Sequence, residues 1–203
     1  DRPVAFGAYA PQNFDGQFRG EIRVADALRL SLNIPVVRLT EAIGPANLMA
    51  ALRRAGVEAA LPGGQAGLAV ALGGVGVSLE GLVQLYAGLA QGGQAEPLYW
   101  TSPTEAAPQR IVGRAAAWQV AHIMAGMEPP PGAARMRLAY KTGTSYGHRD
   151  AWAVGFDGAH VVGVWIGRPD GTPVPGAFGG DLAAPVLFQA FQRVKPQADP
   201  LPP

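Results

Sequence analysis

Apolar residues change their period once along the chain, from helical spacing to strict alternation, and that change sets the expected architecture. Val24, Ala25, Leu28 and Leu32 share one face of a short helix that begins after Ile22. A second helix begins near Pro35, a residue tolerated in a first turn, and ends at Gly44. A third runs from Pro45 to about Arg54 and is closed by Gly56. Ser31-Leu32-Asn33 is then the hinge between the first two helices. Further on, Ser78 reads as the N-cap of a helix with Leu79, Leu82, Val83, Tyr86 and Leu89 on its apolar face, stopped by Gly92-Gly93. Another helix spans about residues 115–127 and is broken by Pro129-Pro130-Pro131-Gly132.

Beyond this breaker the pattern predicts three strands, residues 136–144, 151–156 and 160–166. Asp157-Gly158 signals a two-residue hairpin between the last two, and Tyr146, Gly147 and His148 lie in the turn between the first two. An antiparallel three-strand meander follows. Asp181 reads as the cap of a closing helix that turns Leu182, Val186, Ala190, Phe191 and Val194 toward the sheet. Residues 1–20, with Asn13-Phe14-Asp15-Gly16 as a turn signal, read as an extended loop. The expected fold class is α+β, helices packed on an antiparallel sheet. The expected organisation is one domain over residues 1–195 and a proline-rich linker over 196–203.

Composition narrows the function. A chain of 203 residues that is 48% apolar buries a sizeable core and is not disordered. A net charge of +1 from nearly balanced acids and bases argues against a nucleic-acid partner. Cysteine is absent, which removes disulfides and cysteine zinc sites, and His122, His148 and His160 have no metal-ligand spacing. No metal site is expected. No apolar run reaches the roughly 20 residues that span a bilayer, and Asp1-Arg2-Pro3 does not open a signal peptide, so any anchor is expected outside this chain. Gly73, Gly74 and Gly76 precede a helix but lack both a G-K-[ST] ending and a complete G-x-G-x-x-G, so they read as a packing turn.

Two short motifs carry the chemistry, Ser31-x-Asn33 and Lys141-Thr142-Gly143-Thr144. Each alone is weak, because Ser and Asn at a helix junction ordinarily cap the next helix and a lysine at a strand end is ordinarily solvated. Their joint placement is informative: one lies between helices, the other on a strand leading into a hairpin and a terminal helix. A hydroxyl beside an ammonium can relay a proton, and a glycine-bearing strand edge lets a peptide lie alongside it. The third motif of such sites, S-x-x-K with its nucleophile, is absent. Lys141 and Lys195 are the only lysines, and neither stands three places after a serine. Ser145 and Ser78 are the remaining internal candidates for a nucleophile. Near the motif strand, His148 reads as a turn residue, Arg149-Asp150 as a surface ion pair, and Trp152 and Trp165 as core.

Longer stretches around these motifs resemble the class A penicillin-binding proteins, above all their 1C subgroup. They are Tyr9 to Gly16, Ala27 to Val37, Lys141 to Phe156 and Val164 to Gly171. The resemblance extends over almost the whole chain. It implies the DD-transpeptidase/β-lactamase-like fold, with the S-x-x-K helix upstream of residues 1–20 and missing here.

The resemblance also implies roles. Ser31 would be the proton-relay hydroxyl, facing the missing lysine and paired with Lys141, and Asn33 would bind the substrate's side-chain amide. Lys141 would orient the substrate carboxylate, with Thr142 and Thr144 as its partners. The N–H of Thr144 would form half of the oxyanion hole, and Gly143 would keep the strand open to the ligand. The implied partners are peptidoglycan stem peptides, β-lactams and other cell-wall synthesis proteins. The implied location is the periplasmic side of the bacterial inner membrane, in a longer protein that also carries a glycosyltransferase domain and membrane anchor upstream. The implied reaction is serine acyl transfer from D-Ala-D-Ala peptides, which needs no metal or organic cofactor, with this chain alone inactive for want of its nucleophile. Two rivals stand beside it: a non-catalytic module binding cell-wall peptide or a partner, and a β-lactamase or carboxypeptidase of the same fold.

Overall fold

The computed structural model describes residues 1–102 and 105–202 and divides into two compact units, residues 1–53 with 59–76, and residues 54–58 with 77 onward. Pro203, the last residue of the expected linker, lies outside the described residues.

In the first unit a loop with one short bridge, Phe6 to Tyr9, leads into α1 (Val24–Arg29), α2 (Asn33–Ile43) and α3 (Pro45–Arg54), the last of whose residues belongs to the second unit. Ala27, Leu32, Ile34, Val37, Met49, Leu52 and Val70 form its buried apolar set. Gly44, at φ +83°, ends α2 where expected. A 3-10 turn, Leu68–Leu72, packs on α2. It precedes the glycines that could be mistaken for a phosphate loop. A Cβ on Gly74 would lie 2.8 Å from the carbonyl oxygen of Ala69, so the glycine serves close backbone packing.

The second unit runs α4 (Leu79–Ala90), β1 (Gln94–Ala95), β2 (Gln109–Arg110), α5 (Arg114–Met124), β3 (Ala139–Thr144), β4 (Asp150–Phe156), β5 (Val161–Gly167), a π-helical turn (Gly179–Ala183) and α6 (Ala184–Val194). β3, β4 and β5 form the expected antiparallel meander, in that order. β1 and β2 form a small separate ribbon that the sequence pattern did not suggest. Ser78 caps α4 as expected, its Oγ accepting the Gly81 N–H at 2.9 Å. On one sheet face Tyr140, Ala153, Val162 and Val164 pack with Leu187, Phe188 and Phe191 of α6. On the other, Tyr86 of α4 meets Phe156 edge-on, and Leu79 and Val83 crowd Gly163.

Several boundaries and contacts differ from the sequence reading. β3 starts at Ala139 rather than 136, and α5 stops at Met124, short of the proline run. Asp181 does not cap the last helix: its N–H donates to the Phe178 carbonyl inside the π-helical turn, and α6 has no side-chain cap. A π turn takes more residues per turn than an α turn, so a helical phase counted from Asp181 is wrong by Ala184. The buried stripe is therefore Ala184, Leu187, Phe188 and Phe191, while Leu182, Val186 and Val194 are exposed.

The Asp157-Gly158 hairpin is also not a two-residue one. Phe156 pairs with Val161, which leaves a four-residue loop. Asp157 shapes it with its side chain: Oδ1 accepts the N–H groups of Ala159 at 2.9 Å and His160 at 2.8 Å. Gly158 instead leaves space for the tail, since any Cβ there would collide with the Pro200 carbonyl.

Candidate active site

Ser31 and Asn33 occupy the α1–α2 hinge in the first unit. Ser31 is exposed and has φ +54°, a left-handed conformation that costs a non-glycine residue about 1 kcal/mol or more. Asn33 begins α2 but does not cap it, as the ordinary reading of the tripeptide had it. Its Nδ2 donates to the Gln12 carbonyl at 2.8 Å. The cap comes from Asn13, in the loop, which is buried and has Oδ1 accepting the N–H of Asn33 at 3.0 Å and of Ile34 at 3.3 Å. The Asn13 Nδ2 donates to the Gln17 carbonyl at 2.7 Å and to the Asp1 carboxylate. The only sequence signal at Asn13 was a turn; a capping bond across twenty residues leaves no local pattern.

Lys141, Thr142, Gly143 and Thr144 lie together on β3 in the second unit. β3 is an edge strand of its sheet: β4 takes one side, and no strand among the described residues takes the other. Alternation puts Lys141 and Gly143 on the face opposite Tyr140. The Lys141 Nζ donates to the Thr142 carbonyl at 3.0 Å, and burial pushes its pKa below the usual lysine value. Gly143 stands opposite Trp152, and a Cβ there would meet the Trp152 Cβ at an ordinary 3.6 Å. Packing therefore does not demand glycine at this position. Thr144 is exposed, and its Oγ1 accepts the Gly179 N–H at 3.0 Å.

The neighbouring residues sort differently from expectation. Ser145 closes the β3–β4 turn, its Oγ accepting the Asp150 N–H at 2.8 Å. Asp150 does not serve an ion pair with Arg149; its Oδ1 accepts the Trp165 indole N–H at 2.8 Å, across the sheet. Trp152 and Trp165 are half-buried rather than core, their ring centroids 6.1 Å apart on paired positions. His148 has φ +55° and is half-buried, with its ring edge-on to Phe178 at 4.6 Å between centroids.

Away from β3, Asp157, His160 and Asp199 bring ligand-type atoms within 4.8 Å of one another. Lys195 already bonds both carboxylates, that of Asp157 at 3.2 Å, so the group is a salt-bridge clasp between the β4–β5 turn and the tail. Burial alone would raise the Asp157 pKa. The N–H groups of Asp199, Ala159 and His160, together with Lys195, outweigh it and pull the carboxyl down to about 2.

Over residues 4–191 the sequence matches the family described as the penicillin binding protein transpeptidase domain, and the chain belongs to that family. It is 44% identical over 194 residues to penicillin-binding protein 1C of Escherichia coli, covering 93% of this chain and 25% of that protein. It is 31% identical over 200 residues to penicillin-binding protein 1B of Vibrio cholerae, again covering 25% of the relative and 85% of this chain. The chain thus spans about a quarter of the length of these curated relatives. The resemblance to the 1C subgroup is borne out.

Among solved structures, the PonA1 protein of Mycobacterium tuberculosis in complex with penicillin V superposes with a TM-score of 0.81 at 21% identity, covering 99% of this chain and 64% of that one. Penicillin-binding protein A of M. tuberculosis, as an imipenem acyl-enzyme complex, superposes with a TM-score of 0.72 at 20% identity, covering 94% of this chain and 52% of that one. These likenesses establish the expected penicillin-binding fold.

Proposed function

We propose that this chain supplies two of the three catalytic motifs of a serine-type D-Ala-D-Ala transpeptidase that cross-links peptidoglycan, and that the nucleophilic serine lies outside it. That serine attacks the carbonyl joining the two terminal D-alanines, and the bond to the last D-alanine breaks as its nitrogen takes a proton. An amine of a neighbouring stem peptide then attacks the acyl-enzyme, which forms the cross-link and frees the serine. β-Lactams acylate the same serine, as their ring amide presents an equivalent carbonyl.

In this reading Ser31 relays the proton to the departing nitrogen, Asn33 binds the stem peptide's side-chain amide, and Lys141 provides positive charge for the relay and for the substrate carboxylate. Thr142 and Thr144 hold that carboxylate, the Thr144 N–H stabilises the oxyanion, and Gly143 leaves room for the peptide. The observation that carries the reading is the position of Lys-Thr-Gly-Thr on an edge strand whose outer side no described strand occupies, the arrangement a peptide uses when it adds to a sheet. Two further facts support it. Gly143 is a glycine that packing does not require, and Ser31 is held in a conformation unfavourable for serine.

The whole protein would act at the periplasmic face of the inner membrane, held by a segment outside this chain. No helix among the described residues is long and apolar enough to cross a membrane. Purified full-length protein should take up labelled benzylpenicillin covalently and join stem peptides when an amine acceptor is present. Hydrolysis without cross-linking would favour a carboxypeptidase or β-lactamase. No covalent uptake at all would favour a non-catalytic binding module.

A further inference from the structure

The segment after β5 returns to the motif strand and touches it where the chemistry is proposed. Val174 N–H donates to the His148 carbonyl at 2.8 Å, and the His148 Nδ1 lies 3.4 Å from the Ala177 carbonyl. The His148 ring meets Phe178 edge-on, and Ala177 is fully buried. The next residue, Gly179, lies directly against the β3–β4 backbone: a Cβ on it would come within 2.6 Å of the Trp152 carbonyl oxygen and closer still to that of Gly143. Only glycine fits so near two carbonyls. From there the Gly179 N–H reaches Thr144 Oγ1 at 3.0 Å, and Gly179 opens a π-helical turn, a geometry often found at functional sites.

A threonine hydroxyl has one proton to donate and two lone pairs. With the Gly179 N–H on one lone pair, the oxygen is fixed in place and its proton remains for an acceptor. We infer that Gly179 and His148 are positioning residues that commit the Thr144 hydroxyl to donating toward the carboxylate of the bound substrate or β-lactam. Gly179 sets the oxygen through its backbone N–H, and His148 holds the strap, residues 168–178, that delivers Gly179. This rests on the acyl-transfer reading of β3 and adds to it the device that selects a substrate with a free terminal carboxylate.

The experiment uses the full-length protein and compares acylation by benzylpenicillin with acylation by its methyl ester, which lacks the charged carboxylate. Thr144→Val, Gly179→Ala and His148→Ala are measured beside the wild type, with thermal unfolding of each. Thr144→Val should reduce the preference for the free acid. Gly179→Ala, whose Cβ also presses on the Gly143 carbonyl and with it the Thr144 N–H, should slow both reagents, but the acid by a factor about tenfold larger than the ester, because small misplacements of a binding group cost this much or more. His148→Ala, which leaves the strand backbone intact, should shift the preference in the same direction by a smaller factor and decides the matter if Gly179→Ala does not fold.

Equal losses for acid and ester in the Gly179 and His148 variants, or an unchanged preference, overturn this inference and leave the acyl-transfer reading standing. A wild type that penicillin does not acylate, or a Thr144→Val variant with its preference intact, overturns the role of Thr144 and the inference with it.

Discussion

The side-chain oxygen of Asn13 accepts the backbone N–H of Asn33 at 3.0 Å, so the first turn of α2 is closed by a residue twenty positions upstream. This frees the Asn33 side chain from capping its own helix. Its amide bonds the Gln12 carbonyl instead, which ties the second motif residue to the same loop. The loop that looks irregular in sequence is thereby part of what fixes the S-x-N hinge.

Asn13→Ala should therefore destabilise the protein by about 2 kcal/mol, combining a lost cap with buried N–H groups left without an acceptor. Asn13→Asp keeps the acceptor but sets a second carboxylate beside Asp1, and should also destabilise. Urea unfolding reads both; a change within about 0.5 kcal/mol for Asn13→Ala would show that the bonds contribute nothing.

Asp157 makes a pH prediction. Its carboxyl is depressed to about 2 from an ordinary 3.8, so its contribution to stability is complete above about pH 4 and is lost as pH falls through about 2. The shift corresponds to about 2 kcal/mol. Wild type and Asp157→Asn should differ in unfolding free energy at pH 6, and the part of that difference due to ionisation should vanish near pH 2. A difference that stays constant from pH 6 to 2 would contradict the assignment.

Gly155→Ala should cost about 1–3 kcal/mol, because its Cβ would come within 2.7 Å of the Tyr140 Cβ and 3.2 Å of both the Ala139 carbonyl and Leu187. Thermal unfolding checks it, and an unchanged midpoint would mean that the sheet yields at this point without strain.

Much of this fold can be read locally. α2 and α3 end at Gly44 and near Gly56, and Ser78 caps α4, because caps and glycine stops act within a few residues. The meander likewise follows from alternation. What stayed hidden depends on contacts between distant segments: the Asn13 cap, the clasp of Lys195 on Asp157, and the bond from Gly179 to Thr144. The phase of α6 does not follow from the local sequence, because nothing in Gly179-Gly180-Asp181 signals a π turn. At the candidate site, spacing and the surrounding resemblance single out the motif residues as candidates. The strain at Ser31 and the packing freedom at Gly143 depend on backbone geometry that has no local sequence pattern.

On the proposed reading, substitution of Lys141 should separate function from stability. Burial disfavours its charge, so Lys141→Met in the full protein should leave the unfolding midpoint unchanged or raise it at pH 7, while penicillin acylation falls by two orders of magnitude or more. The gain in stability is full below the lowered lysine pKa and fades as pH rises through it toward the unfolded value, where wild type no longer carries the charge. A marked loss of stability with acylation retained would make Lys141 a structural cation.

On the proposed reading, this chain carries the supporting motifs of an acyl-transfer site and the nucleophile lies outside it. Intact mass after incubation with benzylpenicillin tests this most directly, on these 203 residues and on the full-length protein, with folding of both followed by circular dichroism. An adduct is expected on the full-length protein alone, at a serine outside these residues. An adduct on the short chain, at Ser145 or any other of its own serines, would contradict it.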